Sequence, residues 1–304
     1  MDRRAFIGTV AGGLLAAPLA VEAQQAGKMA RIGYLSPGQR VSLDHPYLLA
    51  IRDGLQDEGF VVGRDVLVDW RFAENDYGRL PDLAAEIVQS RVAVFLCVTT
   101  PACRAAKDAT TTTPIVMINV GDPVALGFVK SLGQPGGNIT GLGLNSVEVV
   151  PKRLQLLKEV APRSSRIGVL LRGGNPAHAL QLKALEAAAQ SLKLVLHAAE
   201  ATNADGIDAA FAGFAQDHVD AAVVIPDPLL WDYRTRLGQL AINMRLPTVT
   251  EDRQFVEARM LMSYGPNEAS YWRRSGLFVA KILRGAAPAN LPVEQPPSST
   301  SSSI

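Results

Sequence analysis

RIGYLSPG, at residues 31–38, and RIGVLLRGG, at residues 166–174, are two stretches that begin alike. Each starts with a short apolar run bounded by glycine or proline, which predicts a buried strand followed by a turn. A helical pattern follows each stretch, at residues 45–59 and at residues 178–193. The chain therefore starts the same strand and helix unit twice, which predicts two similar lobes.

The alternation of strand and helix patterns continues after each of these starts. Further strand patterns lie at 65–73, 92–98, 114–120, 194–200 and 221–226, and further helical patterns at 80–90, 101–110, 152–162, 206–216 and 232–244. Such alternation is typical of parallel sheets covered by helices on both faces. We therefore predict an α/β protein of two Rossmann-like lobes.

The glycine run GQPGGNITG, at residues 133–141, does not match a phosphate-binding loop. A Walker loop has Lys and then Ser or Thr directly after its last glycine, and a dinucleotide-binding loop leads into a helix. Here Gly137 is followed by Asn138, Ile139 and Thr140, which continue as extended chain. We interpret the run as a turn that feeds a strand near the crossing between the lobes.

Composition limits the class of function. The 304 residues are 48% hydrophobic and 19% charged, so the chain can bury a large core. The formal net charge is +1 and no run of Lys or Arg concentrates positive charge. We therefore expect no nucleic-acid partner.

The first residues have the pattern of an export signal. Arg3 and Arg4 precede an apolar stretch at residues 6–20, and small residues lead to a predicted cleavage site after Ala23. A twin-arginine signal and a general secretory signal both fit this pattern. We therefore predict a signal peptide at residues 1–23 and a mature protein free in the periplasm.

The chain has two cysteines, Cys97 and Cys103. They could pair in an oxidising compartment, but Cys97 ends an apolar run and is expected to point into a core. Two separate buried thiols are therefore favoured over a disulfide, and the spacing of the two cysteines carries little metal signal. We expect no bound metal and no cofactor.

Polar side chains follow most of the predicted strands. Ligands of open parallel sheets bind beyond the carboxyl ends of the strands, where helix N-termini present free N–H groups. A small zwitterion would fit, with its carboxylate on Ser36, Thr99 and Thr100 and its ammonium on Asp122 or Asp227. Thr100, Asp122 and Asp227 each precede proline, so helix capping is an equally good interpretation of these three side chains.

Several longer motifs carry a family resemblance. GLQDEGFVVGRDVLVDWRFAEN, the linked pair GDPV and SLGQPGGNITG, and KRLQLLKEVAPRSSRIGVL resemble the substrate-binding proteins of one ABC-transporter family, which includes tryptophan- and tyrosine-type binders. The resemblance runs from about Arg31 to Pro297. It implies a type I periplasmic binding fold, with a multi-strand hinge and a small ligand closed between the lobes. It also implies ligand contacts at Ser36, His45, Thr99, Thr100, Asp122, Asn145, Asn175, Asp227 and Glu251.

The resemblance implies lobe boundaries as well. The N-terminal lobe is expected at residues 30–143 plus 261–290 and the C-terminal lobe at residues 144–260. After that the chain departs from the family pattern, because it ends in the serine-rich segment PSSTSSSI. We expect residues 297–304 to be disordered and the last crossing to be lost, which would uncover one edge of the second lobe.

The function that these patterns favour is binding, with no catalytic residue. Two-lobed racemases use one thiol from each lobe, whereas both cysteines here lie in the first, and no GxSxG motif is present. We expect a monomeric periplasmic protein that captures an amino acid, aromatic or otherwise, or a related carboxylate, and delivers it to an ABC permease. The alternatives are a ligand-sensing module for a receptor and, less favoured, a two-lobed α/β enzyme.

Overall fold

The computed structural model describes residues 29–266, 268–296 and 300–303. The predicted signal peptide lies outside the described residues. No described helix combines the length and the apolar character that crossing a membrane requires.

The first lobe is built on a parallel sheet with the strand order β2-β1-β3-β4-β5. Helices lie on both faces of this sheet, as the alternating pattern predicts. The elements are β1 (Ala30–Ser36), α1 (Pro46–Asp57), β2 (Val66–Phe72), a 3₁₀ helix (Tyr77–Arg79), α2 (Leu80–Gln89), β3 (Val94–Val98), α3 (Thr99–Ala109), β4 (Ile115–Gly121) and β5 (Ile139–Leu144).

The second lobe repeats this architecture and is followed by a return of the chain to the first. Its elements are α4 (Ser146–Val160), β6 (Arg166–Arg172), α5 (Pro176–Leu192), β7 (Val195–Ala201), α6 (Ala204–Gln216), β8 (Ala221–Val224), α7 (Pro228–Asp232), α8 (Arg234–Asn243), β9 (Thr248–Thr250), α9 (Arg253–Glu257) and β10 (Met262–Gly265). Then follow α10 (Glu268–Leu283), a 3₁₀ helix (Pro288–Asn290) and β11 (Thr300–Ser303). The second sheet has the order β11-β10-β9-β8-β6-β7. The prediction of two lobes with parallel sheets is confirmed.

The two matching stretches explain why helices pack so closely on these sheets. In the first stretch a Cβ atom on Gly33 would lie 2.2 Å from the Ile87 side chain of α2. In the second, a Cβ atom on Gly168 would lie 2.9 Å from the Phe214 ring of α6. The glycine in the middle of each RIG strand therefore gives a covering helix the room to approach.

The run GQPGGNITG is the predicted turn and strand. Gly136 has a left-handed φ of 73° in the turn, and Ile139 starts β5. At Gly141, φ is 122° and a Cβ atom would lie 2.4 Å from the carbonyl oxygen of Met117 on β4. The glycines therefore serve the turn and the close approach of β5 to β4.

The boundary expected at residue 261 is wrong. β10 pairs in parallel with β9 of the second sheet, through Met262 with Val249 and Ser263 with Thr250. The chain returns to the first lobe only after Gly265, where α10 packs on α1. Strand pairing sets this boundary, and pairing partners were not visible in the sequence.

The expectation of a disordered tail is wrong for residues 300–303. They form β11, which pairs antiparallel with β10 in a register that runs from Met262 opposite Ser303 to Gly265 opposite Thr300. The third crossing between the lobes is therefore retained, and β11 covers the edge of β10. Ladder pairing needs only backbone groups, so a serine-rich segment can supply it.

The two cysteines do not remain separate thiols. Cys97 at the end of β3 and Cys103 in α3 form a disulfide, with Cα atoms 5.0 Å apart. Both side chains are fully buried, so the expectation that Cys97 points into a core is correct. They meet because α3 begins directly after β3 and turns back over the end of that strand.

Candidate functional site

The candidate site is a cleft between the lobes, at the carboxyl ends of both sheets. Most of the predicted contacts line it: Ser36, His45, Thr99, Thr100, Asn175, Asp227 and Glu251. The ends of parallel strands meet at one edge of a sheet, which is why residues far apart in sequence converge here.

Two predicted contacts do not line the cleft. The Asp122 carboxylate accepts a hydrogen bond from the backbone N–H of Val147, at 3.2 Å, in the first turn of α4. Asn145 directly precedes α4, and its side-chain amide donates to Glu148. Both residues lie at the first crossing between the lobes. Their side chains act at the start of α4, and neither lines the cleft.

Some cleft residues also cap helices. Asn175 accepts from the N–H of Ala177, at 3.1 Å, and Asp227 accepts from the N–H of Leu229, also at 3.1 Å. His45 accepts from the N–H of Tyr47 through Nδ1. Capping and cleft lining are therefore combined in single residues, because helix N-termini themselves point at the cleft.

Thr99 and Thr100 begin α3 and lie between the two cysteines of the disulfide. The Thr100 hydroxyl accepts from the backbone N–H of Gly121, at 3.2 Å, and so links the start of α3 to the end of β4. Thr99 has a φ of 64°, in the left-handed region that β-branched residues rarely adopt. Its buried hydroxyl oxygen has no hydrogen-bond partner in the described part of the chain. A strained cleft residue with a buried, unused polar atom is typical of a ligand contact.

Aromatic rings from both lobes form much of the cleft wall. Tyr47 stacks on Trp272 with ring centroids 4.8 Å apart, and the Trp231 ring of the second lobe lies 6.1 Å from Tyr47. Tyr34 and Phe72 form a second group, 5.6 Å apart. The sequence gave no sign of Tyr47, Phe72 or Trp272, which reach the cleft through helix packing or from a strand next to β1.

The charged side chains of the cleft lining are acidic. Asp227, Asp232, Glu251 and Asp252 line it, and no Lys or Arg does so in the part of the chain that the structure describes. Burial raises the pKa of Asp232 and of Asp252 above the ordinary value of an aspartate. A cation in the cleft would stabilise the ionised form of both carboxylates.

Glu251 already has a cationic partner behind the cleft wall. Its Oε2 atom lies 2.7 Å from Nη2 of Arg153, and Arg153 Nε donates to the carbonyl oxygen of Tyr264, at 2.8 Å. The Arg153 side chain is 2% exposed and that of Glu251 9%. Arg153 therefore joins α4 to β10. It also neutralises much of the charge of Glu251 within the second lobe. Arg153 lies in the motif KRLQLLKEVAPRSSRIGVL, but nothing in that motif singled it out.

His178 and Gln181 line the second-lobe wall on α5. His178 accepts from the N–H of Arg172 through Nδ1, at 3.1 Å, so Nε2 carries the proton that faces the carbonyl oxygen of Pro226. Burial lowers the pKa of His178, which keeps the ring neutral. Gln181 is 5% exposed, and its side-chain oxygen has no partner among the described residues.

Tyr47 connects the lobes directly. Its hydroxyl donates to Oδ2 of Asp252, at 3.0 Å, and accepts from Nε2 of Gln254, at 2.6 Å.

Among the described residues, no three His, Cys, Asp or Glu side chains are grouped as ligands for a metal ion. The arrangement therefore offers hydroxyls, amides, carboxylates and aromatic faces to an organic guest.

A two-lobed α/β chain with a polar and aromatic cleft between its sheets is the architecture of a solute-binding protein. The chain belongs to the family of ABC transporter substrate binding proteins, whose family model matches residues 40–302. The resemblance inferred from the sequence is therefore confirmed, and with it the type I periplasmic binding fold.

Several proteins of known identity or structure are similar to this chain. A tyrosine-binding protein of Clostridioides difficile (strain R20291) is 25% identical over 255 residues, which are 83% of this chain and 73% of that protein. A conserved domain protein from Vibrio cholerae O1 biovar El Tor superposes with a TM-score of 0.84 and 26% identity, over 91% of this chain and 92% of that one. An ABC domain in complex with L-Trp from Streptococcus pneumonia superposes with a TM-score of 0.81 and 24% identity, over 90% and 91%.

Proposed function

We propose that the protein is the exported solute-binding component of an ABC importer and that its ligand is an amino acid, with aromatic amino acids the first class to test. The observation that carries this proposal is the combination of aromatic rings and acidic groups in one cleft. Aromatic faces suit a ring, and the carboxylates suit an ammonium group. The ligands of two similar proteins, tyrosine and L-Trp, support the aromatic class.

The ligand carboxylate needs a different set of partners, because the charged groups that line the cleft are acidic. We assign it to Thr99, Thr100 and the N-terminus of α3, where free N–H groups and the helix dipole favour an anion. The unpaired hydroxyl of Thr99 and the amide oxygen of Gln181 then serve opposite ends of a zwitterion.

Delivery follows from closure of the lobes. A ligand that contacts both lobes stabilises the closed form by its higher affinity for that form, and a membrane permease recognises the closed form. The three crossings act as the hinge. The protein works outside the cytoplasm, free of the membrane, as a monomer.

A thermal-shift screen of residues 24–304 against amino acids and small carboxylates tests this function. A ligand at 100 times its dissociation constant raises the free energy of unfolding by about 2.7 kcal/mol. Replacement Gln181→Met is expected to weaken binding about tenfold, which lowers that increment by about 1.4 kcal/mol. The matched control is Gln190→Met on the exposed face of the same helix, which should leave the shift unchanged.

Two results would contradict the proposal. A screen in which no amino acid raises the melting temperature would exclude amino acids as the ligand. Equal shifts for Gln181→Met and wild type would show that the ligand lies elsewhere than in this cleft.

A further inference from the structure

A second set of contacts joins the lobes at the rim of the cleft. We call it the rim network; its members are Asn75 and Tyr77 of the first lobe and Arg172, Asp227 and Asp232 of the second. Asn75, Tyr77 and Arg172 lie outside the cleft lining, whereas the two aspartates form part of it. The network therefore joins the lobes at the rim, through first-lobe donors that do not line the cleft.

Each first-lobe member is bonded to an acidic group of the second lobe. The Tyr77 hydroxyl donates to Oδ2 of Asp227, at 2.5 Å, and the Asn75 side-chain amide donates to Oδ2 of Asp232, at 2.8 Å. Hydrogen bonds to a charged acceptor are about twice as strong as neutral ones. These bonds are local to the rim, so they stabilise the closed arrangement of the lobes by themselves.

Arg172 strengthens the network from the second lobe. Its Nη2 atom donates to the carbonyl oxygen of Asn75, at 2.7 Å, and its guanidinium lies 4.7 Å from the centre of the Tyr77 ring. Arg172 is 5% exposed, so water screens these contacts weakly. Burial and the charge of Asp227 raise the pKa of Tyr77, which keeps the phenol protonated as a donor at neutral pH.

The backbone at Asn75 is held in the geometry that the network needs. Glu74 and Asn75 are consecutive left-handed residues, with φ of 56° and 62°. Their N–H groups donate to the carbonyl oxygens of Gly38 and Pro37, at 3.0 and 2.8 Å. These bonds fix the turn after β2 so that the Asn75 carbonyl and amide both face the second lobe.

The carboxylate of Asp227 has little capacity left for a ligand. Oδ2 accepts from Tyr77 and from the Asn175 amide, at 3.2 Å, and Oδ1 accepts from the N–H of Leu229. Its role in the cleft is therefore that of an acceptor for the other lobe.

We propose that Tyr77 and Asn75 are positioning residues that hold the lobes closed independently of the ligand, with Asp227 and Asp232 as their acceptors. The closed form is then the major form of the protein before the ligand arrives. Loss of both first-lobe donors should lower the ratio of closed to open protein roughly tenfold or more, since hydrogen bonds to charged groups have this strength.

Small-angle X-ray scattering of residues 24–304, refolded from denaturant to remove carried ligand and measured without added ligand, tests the proposal. Wild type should scatter as the closed structure does. The double variant Tyr77→Phe with Asn75→Asp should have a larger radius of gyration, because the carboxylate introduced by Asn75→Asp would repel Asp232 while tolerating the left-handed backbone. The single variant Tyr77→Phe should show a smaller change in the same direction and serves if the double variant does not fold.

The control is Tyr233→Phe, which removes a tyrosine hydroxyl from the second lobe outside the rim network. It should scatter as wild type does. An open wild-type protein, or a Tyr77→Phe variant as compact as wild type, would overturn the proposal.

A second readout uses the ligand and rests on the proposed function. Affinity should fall by the same factor as the closed fraction, because the ligand must then supply the missing closure energy. The scattering measurement needs no ligand, so a failed ligand screen would contradict the proposed function while leaving the rim network tested on its own.

Discussion

Three non-glycine residues at the ends of β3 and β4 have left-handed backbone angles. The φ values are 64° at Thr99, 55° at Asn119 and 44° at Asp122. Such residues store strain that the surrounding structure must hold, and they concentrate at binding sites and at segments that move. Here Thr99 and Asn119 line the cleft and Asp122 lies at the first crossing, so strain marks both the site and the hinge.

Asp122 gives a prediction on pH dependence. Burial, opposed by its bond from Val147 and assisted by the nearby charge of Glu148, raises the pKa of Asp122 to about 6 from 3.8. The folded protein therefore binds this proton more tightly than the unfolded chain. The contribution to stability is complete below pH 4 and is lost as the pH rises through 6.

Replacement Asp122→Asn should remove this contribution to the pH profile. Between pH 4.5 and 7.5, wild type should lose about 1 kcal/mol more unfolding free energy than the variant, after allowance for solvent screening. Urea denaturation at the two pH values measures the difference. Asp232 and Asp252, whose pKa values are also raised, titrate in both proteins and cancel. Parallel pH profiles would contradict the assignment.

The sequence could predict the polar part of the site better than its aromatic part. Ser36 ends β1, and Asn175 and Asp227 lie shortly beyond the ends of β6 and β8. Strand ends meet at one edge of a sheet, so local patterns were sufficient. Tyr47 and Trp272 stack through the packing of two helices that are far apart in the chain, and no local pattern encodes that contact. Asp122 was assigned to the cleft because capping and ligand binding use the same side chains.

At the scale of elements, α1 and α10 pack unusually closely through glycine. A Cβ atom on Gly54 would lie 1.9 Å from the carbonyl oxygen of Arg273, and one on Gly276 would lie 2.3 Å from the carbonyl carbon of Gly54. The aromatic side chains of α10, Tyr271 and Trp272, are buried in the core that this contact closes. The contact therefore anchors the segment that returns from the second lobe.

Replacement Gly54→Ala should destabilise the protein by about 2–3 kcal/mol, because the clash is with backbone that cannot move aside cheaply. The matched control is Gly213→Ala in α6, where a Cβ atom meets nothing within 4 Å. That change should raise stability by about 0.5–1 kcal/mol through helix propensity. Denaturant midpoints measure both, and a Gly54→Ala variant as stable as wild type would show that the helices can separate without cost.

At the scale of the whole molecule, the chain passes between the lobes three times: between β5 and α4, between β10 and α10, and between residues 294 and 300. Glu294 bridges to Leu142 in the first lobe, and β11 then joins the second sheet. The first crossing was visible in the sequence as a glycine-rich turn before a strand. The third was not, because β11 has no alternation of apolar and polar residues and is specified by backbone pairing alone.

The third crossing depends on the pairing of β11 with β10. β10 pairs with β9 through two residue pairs and with β11 through four, so β11 contributes the larger part of its ladder. Removal of residues 297–304 should therefore lower the free energy of unfolding by about 1–3 kcal/mol, because each hydrogen bond lost from the ladder makes a modest net contribution to stability. Amide hydrogen exchange at Ser263 and Tyr264 should accelerate, while exchange in β1 stays unchanged.

Point substitutions separate pairing from the mere presence of the tail. Ser302→Pro should reproduce the destabilisation, because proline cannot donate to the ladder, and Ser302→Val should not, because valine favours extended backbone. Urea denaturation of the three variants beside the full chain gives the comparison. Equal midpoints for the truncated and full-length proteins would mean that β10 is held by β9 and by the bond from Arg153 to Tyr264 alone, and that two crossings suffice to join the lobes.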